Sequence, residues 1–534
     1  MRKISNNIVG NWNKSDYGLV NQSSTVNMFV EQQGEGSSST TIIRSIHGNE
    51  LIASLDGTAS LDGTPRGLFV ASRGYLDAPI LYAVSGNKVY CIFKDVNGTI
   101  NTEYVLTVAN TLDRISFAEN GGQTKETSYV FLADGVNVWC IPNRLNPAEQ
   151  KNHVIKPTLP LNVETRRTIN PTHVAYLYNY LVVNDMNTDA FYLSYQYPLE
   201  QKLPKYDSTG TVIVDKDGNI EYEDEISTDI FQIEKGHLYY ANGERVGFVT
   251  YSEWKPDITN ALCTNGTYLY TFGPESTQIF TYTSEVDAPF KSPTNSANGI
   301  GCKAPCSVVQ NADYIFFLGS ASIGNNGIYQ YNGQTLSKIS TPDIERHING
   351  LDDSTDAIGQ CWVENGHLFY ALTFNKANQT FVYDTLNQSW HKRESNDDKW
   401  ALYNAVTWGN DTCFLTEDGL VKTVLDKYTE WNGQPIVRKR TGGCMVAEHQ
   451  LFSLDELRLL VDTNRQNGTV YVRWTDNDGP VSDWERLNVG TDYLNKLSVW
   501  NLGVHEMLTV EIRYSDDTPF ALLGGEIKYA LIDC

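Results

Sequence analysis

The chain has 534 residues, with 41 Lys and Arg against 64 Asp and Glu and a net charge of −23. That balance excludes a protein that wraps DNA by neutralising its phosphates, which requires basic patches. The length is beyond the size at which one core stops growing, unless the core is divided among repeated units; the many Tyr, Phe and Trp favour strands.

Residues 1–45 read as an irregular N-terminal arm. Met1-Arg2-Lys3 is basic, but Ser5, Asn6, Asn7, Asn11 and Asn13 follow, so no apolar signal core is expected there. No run approaches the ~18 apolar residues of a membrane helix, so stable membrane insertion is not expected. Gly36 to Thr41 reads as a loop.

From residue 46 to 444 one unit recurs: an apolar, aromatic run, a tight turn, and a second such run. Tyr82-Ala83-Val84 turns at Gly86-Asn87 into Val89-Tyr90, and Tyr129-Val130-Phe131-Leu132 turns at Asp134-Gly135 into Val138-Trp139. Further turns fall at Asn265-Gly266, Asn326-Gly327, Asn365-Gly366 and Asp418-Gly419. Such pairs supply the positive φ angles of a tight hairpin. Apart from one long gap they lie about 40–60 residues apart, near the period of propeller blades. The spacing predicts an all-β fold, a β-propeller of six or seven blades with six favoured. The stretch 199–250 interrupts the pattern with Lys205, Asp215, Lys216, Asp217 and the acidic run Glu221 to Glu225. Thr211-Val212-Ile213-Val214 and Gly218-Asn219-Ile220 predict a protruding hairpin there. Asp343 to Ile348, behind Pro342, predicts a single helical turn. From 445 to 534, Leu457 to Val461, Thr469 to Trp474 and Leu508 to Tyr514 alternate apolar and polar, which predicts a small antiparallel sandwich or barrel.

Catalytic and metal signatures are broken. His505-Glu506-Met507-Leu508-Thr509 begins like a zinc protease motif but carries Thr509 at the second His position. Cys302 and Cys306 have no second ligand pair nearby. Asp215-Lys216-Asp217-Gly218-Asn219 and Asp476-Asn477-Asp478-Gly479 resemble calcium-loop fragments but suit hairpin turns better, because in the first Ile220 stands where the loop needs Gly. The nine cysteines are scattered and odd in number, so no disulfide framework is expected, and synthesis in a reducing cytoplasm is. Tyr176, Tyr178, Tyr180, Tyr192, Tyr195 and Tyr197 sit mostly at strand spacing and read as core or sheet-face residues. No cofactor is expected, and no enzymatic activity.

Several segments together resemble the packaged-DNA stabilisation proteins, the tail hub or nozzle proteins of short-tailed bacteriophages. They are Val26-Asn27-Met28-Phe29, Arg66-Gly67, Leu81 to Tyr90, Arg114-Ile115-Ser116-Phe117-Ala118 and Ala133-Asp134-Gly135. Further on come Gly273, Ser276 to Phe280, Gly299 to Cys302, Ile328-Tyr329, Lys338 to Glu345, Phe381 to Asp384 and Ser389-Trp390-His391. His47-Gly48 stands where the family pattern has Pro-Gly, and the 199–250 insertion is longer and more acidic than the pattern. The resemblance implies a virion tail protein, made in the host cytoplasm, that forms a homohexameric ring below the portal and adaptor proteins. It implies a tail fibre, spike or needle protein below or beside the ring, completion of the head, retention of packaged DNA, and a share in the ejection channel.

Such a ring must pass DNA without gripping it. Carboxylates facing the channel would repel phosphate at close range. The candidate channel or interface residues are Glu221, Glu223, Asp224 and Glu225, with Asp352, Asp353 and Asp356 as a second group. Two readings of other classes stand beside this one. One is a propeller hydrolase or lyase acting on glycans, or a receptor-binding tail component; a hydrolase would need clustered carboxylates at the propeller's central opening. The other is a monomeric propeller that recruits protein partners.

Overall fold

The structure is a computed structural model. It describes residues 2–532 except 7, 15–21, 33–40, 56–62, 123, 125–126, 163–166, 198, 200–204, 206, 208–210, 212, 220, 222–229, 232–248, 252–256, 286–288, 295, 312, 322–325, 447–449, 477–480 and 493.

Seven antiparallel sheets succeed one another between residues 65 and 424. The first is Pro65–Ala71, Ile80–Ser85, Lys88–Lys94 and Ile100–Thr107; the second is Ser116–Glu119, Tyr129–Ala133 and Val138–Pro142. The third is Val174–Leu177, Tyr180–Asn184, Ala190–Gln196 and Val249–Tyr251; the fourth is Ala261–Asn265, Tyr268–Phe272, Thr277–Tyr282 and Phe290–Lys291. The fifth contains Val309–Asn311, Tyr314–Ala321, Gly327–Asn332 and Thr335–Lys338, and the sixth Ala357–Glu364, His367–Phe374, Gln379–Asp384 and Ser389–Lys392. The seventh joins Tyr403–Trp408, Asp411–Leu415 and Gly419–Val424 to Gly48–Ser54 from the other end of the chain. The first strands of consecutive sheets are neighbours all the way round, and that of the seventh returns to Pro65–Ala71.

A separate apolar core lies between each pair of neighbouring sheets. In the second sheet, Val130 and Leu132 enter the core shared with the first, while Phe131 and Ala133 enter the core shared with the third. Successive side chains of a strand point to opposite faces. A blade strand covered on both faces is therefore continuously apolar, which is why Tyr129 to Leu132 does not alternate. The last of these cores, with Leu415 and Leu420 against Leu81 and Ile92, closes the circle. This is a β-propeller, as expected. Of the six or seven blades expected, six was favoured; among the described residues the circle has seven sheets. The six Gly-containing turn pairs mark every sheet except the third. Its first hairpin turns at Tyr178-Asn179 with φ of 50° and 67°, left-handed angles reached without glycine.

Most of the remaining described strands form two facing sheets. One runs Met28–Gln32, Thr41–Ser45, Ala521–Leu531, Phe452–Asp462, Asn495–His505, with Arg2–Asn6 also on Ala521–Leu531. The other runs Gln22–Val26, Arg438–Thr441, Met507–Tyr514, Gly468–Asp476, Glu485–Val489. Leu457, Leu459, Val461, Val470, Val472, Val510 and Ile512 fill the space between them. The described parts of residues 1–45 thus supply strands to this sandwich, where an irregular arm was expected; their neighbours lie too far along the chain for a local pattern to reveal them. The second sheet touches the propeller through a parallel bridge, Val26 to Lys392. Trp12 is buried in the core between the fifth and sixth blades. Gly48, at the departure from the family pattern, has no room for a side chain, since a Cβ there would lie 2.3 Å from the Thr429 carbonyl oxygen.

Candidate functional site

The first strands surround a central cavity of about 530 Å³ on the propeller axis. Its lining includes Arg114, Glu119, His173, Cys263, Cys306 and Asn404, contributed by five different blades. Arg114 precedes the first strand of the second blade. Its Nη1 donates to the carbonyls of Cys306 at 3.0 Å, Val308 at 3.3 Å and Gly359 at 3.2 Å. Those carbonyls belong to the segments that enter the fifth and sixth blades, on the far side of the ring, so one side chain ties opposite walls together.

Burial pushes the His173 imidazole down to about 3, and the Arg114 charge adds to this, so His173 is neutral at any ordinary pH. Its Nδ1 lies 3.0 Å from the Thr172 hydroxyl. Burial pushes the Cys263 thiol up to about 12 against the opposing effect of Arg114, and raises Cys306 as well, so neither is a ready thiolate. The eight described cysteines are all free. Glu119, the carboxylate in this lining, accepts from the Ser72 amide at 2.9 Å. Glycoside hydrolysis by acid and base needs two carboxyl groups facing one another. Among the described residues this opening presents one.

The acidic candidates fall into two places. Glu221 is exposed, and its carboxylate makes no hydrogen bond or ion pair among the described residues. Its backbone is paired: Glu221 N donates to Ile213 O at 2.9 Å, and Lys205 N donates to Glu221 O at 2.8 Å. Glu223, Asp224 and Glu225 lie outside the described residues. Asp352, Asp353 and Asp356 occupy the link between the helix Pro342–Asn349 and the first strand of the sixth blade. Asp353 and Asp356 converge on Lys376. Lys376 Nζ donates to Asp353 Oδ2 at 2.5 Å, and its backbone N–H donates to Asp356 Oδ2 at 2.5 Å. The hydrogen bonds from Lys376 and Thr355 hold the Asp353 carboxyl well below the usual carboxylate range. These two acids are partly committed to holding the blade's own loops together; Asp352 is exposed.

The calcium-like segment is a turn. Asp215 Oδ1 accepts from the amides of Asp217 and Asn219, each at 2.8 Å, as an Asx turn does. Residues 477–480 of the second segment lie outside the described residues. Among the described residues no group of three or more His, Cys, Asp or Glu is placed to hold a metal. Cys302 Sγ lies 3.1 Å from the Ala304 carbonyl. The central cavity itself is not legible in the sequence, because its lining comes from strands spread over some 340 residues; the Arg114 segment stands out only through the family resemblance.

Fold and cavity together define a β-propeller carried on a two-sheet sandwich. Residues 244–419 match a family model described as Phage_stabilise, bacteriophage P22 Gp10, beta-propeller, which bears out the resemblance expected from the sequence over the fourth to seventh blades. A search of curated proteins returns no match. Among solved structures, a streptogramin B lyase aligns with 11% identity and a TM-score of 0.35, covering 76% of this chain and 99% of that one. An exo-beta-1,3-galactanase from Phanerochaete chrysosporium aligns with 8% identity and a TM-score of 0.25, covering 91% of this chain and 100% of that one.

Proposed function

We propose that this protein is a structural component of a short-tailed phage virion. It forms a homohexameric hub or nozzle ring under the portal and adaptor, completes the filled head, helps retain the packaged DNA and shares in the ejection channel. The observation that carries this reading is the match of residues 244–419 to the family described by the P22 Gp10 propeller. The physical setting agrees with it. Closed blades leave short strand edges and so resist sheet-to-sheet aggregation. A head-to-tail ring can then be built through loops at the blade ends and through the 199–250 insertion. DNA passes without sequence-specific binding, because a chain of net charge −23 repels rather than holds it. In this reading Glu221, Glu223, Asp224 and Glu225 are the first candidates to face the channel, and Asp352 the most available of the second group. Portal and adaptor proteins lie above and a fibre, spike or needle protein below or beside. No catalytic activity is assigned. A glycan hydrolase at the central opening is disfavoured by the lone carboxylate Glu119 in the described lining.

Negative-stain electron microscopy of the purified protein, alone and mixed with its adaptor and portal, tests the proposal. Sixfold rings with an open centre are expected, alone or on the portal complex. Monomers that never join the portal complex would overturn it.

A further inference from the structure

We propose that the central cavity of the propeller is a binding site for a small oxyanion of the carboxylate or phosphate class, gripped by the free edge of Arg114 and by Asn404. This site goes beyond the ring and does not depend on it.

Three observations meet here. First, Arg114 is a half-buried cation without an ion pair among the described residues, in a protein that carries 64 acidic side chains. Its Nη1 is held by three carbonyls, whereas its Nε and Nη2 make no hydrogen bond among the described residues. A guanidinium fixed at one nitrogen presents the other two as a preset fork, the geometry that matches two oxygens of a carboxylate or phosphate.

Second, Asn404 lines the same cavity, is 6% exposed, and its buried Oδ1 has no hydrogen-bond partner. Buried amide oxygens are normally paired, so an unpaired one is a place reserved for a donor. A monohydrogen phosphate or a hydroxy acid would bring that donor.

Third, the backbone at Asn404 is shaped to aim it. The first strand of the seventh blade shifts register between Tyr403 and Val406, and Asn404 adopts φ 54°. Bulges of this kind redirect a side chain at functional openings. The volume, about 530 Å³, lies within the range of small-molecule sites. With His173 neutral beside it, Arg114 is the one cation in the described lining and Glu119 the one carboxylate, so an anion entering the cavity would find its charge partner at Arg114.

Isothermal titration calorimetry of the full chain at fixed ionic strength tests this, with inorganic phosphate, citrate and a tri-glutamate peptide as probes and sodium chloride as the matched control. Saturable binding of at least one probe is expected. Phosphate or citrate alone would point to a free anion, and the peptide alone to an acidic segment of a partner. Arg114→Lys keeps the charge and loses the fork. Asn404→Asp keeps the Arg114 bridge, tolerates the positive φ, and places a competing carboxylate in the cavity. Both should weaken binding at least tenfold, with Asn404→Asp decisive if Arg114→Lys does not fold. No probe binding above the chloride control, or a weakening of less than tenfold in a folded Asn404→Asp protein, would overturn the proposal.

Discussion

Buried arginines hold this protein together through backbone oxygens more than through carboxylates. Arg66 donates to the carbonyls of Leu112, Gly86 and Ala109 at 2.7, 2.8 and 3.0 Å, and Arg440 gathers Ile8, Asn11, Ser24 and Thr25. Burial pushes Arg440 down to about 9, still charged at neutral pH. Each bonds several backbone carbonyls from separate segments, and an unbonded buried carbonyl would cost about 1–3 kcal/mol. Arg393 is the exception, paired with Glu364 at 3.0 Å and packed among Trp362, Phe369 and Trp400. Beside it, His391 is 1% exposed and neither ring nitrogen has a partner. It faces Arg393, the His367 that pairs with Asp384, and the Phe29 and Phe369 rings. Burial, helped by the charges of Arg393 and His367, lowers the His391 pKa well below its ordinary value. Below pH ~6.5 the unfolded chain takes up a proton that the folded site refuses, so stability falls as the pH drops through that value. Denaturant unfolding from pH 7 to 5 should show His391→Phe losing less stability than the parent, by up to about 1.4 kcal/mol per pH unit. Equal slopes would show that His391 does not sense pH.

At the scale of the element, the seventh blade is the seam that closes the ring. Gly48–Ser54 pairs with Gly419–Val424 although hundreds of residues separate them, and this strand pair and its core, together with the sandwich strands that join the same two chain ends, offset the loop-closure cost. Gly419 makes the pairing possible. It has φ 141°, and a Cβ would fall 2.2 Å from the Ala53 carbonyl oxygen. Gly419→Ala is therefore expected to destabilise by about 1–3 kcal/mol or more, read as a lower denaturation midpoint. An unchanged midpoint would mean that the seam carries little of the stability. Five of the six Gly-containing turn pairs behave as their residues dictate, with Gly86, Gly135, Gly266, Gly366 and Gly419 at positive φ, whereas Gly327 does not take it. Tyr178-Asn179 takes positive φ without glycine and so carries no Asn-Gly or Asp-Gly signal in the sequence.

For the whole molecule, the two chain ends share one sandwich. Arg2–Asn6 lies on Ala521–Leu531, Gln22–Val26 lies on Arg438–Thr441, and Trp12 reaches into the propeller. Removal of residues 1–45 should thus fail to yield a trimmed, stable propeller. The product is expected to be insoluble, or to lose its cooperative melt and fall to limited proteolysis, because the sandwich loses the strands Met28–Gln32 and Thr41–Ser45 and the core residues they bring. A soluble truncation that melts like the parent would show the segment to be dispensable.

What the sequence determined by itself was local: strands from aromatic and apolar runs, turns from Asn-Gly and Asp-Gly, and a change of texture near residue 445. The propeller class follows from these, because doubly covered strands must be apolar throughout and must recur at blade spacing. The family resemblance rested on the same local segments. Tertiary structure alone decided the count of seven, the use of residues 1–45 as sandwich strands, and the meeting of Arg114 with carbonyls almost 200 or more residues away. Each depends on pairing between distant segments, where the energy comes from backbone hydrogen bonds and shared cores that leave no periodic mark in the chain.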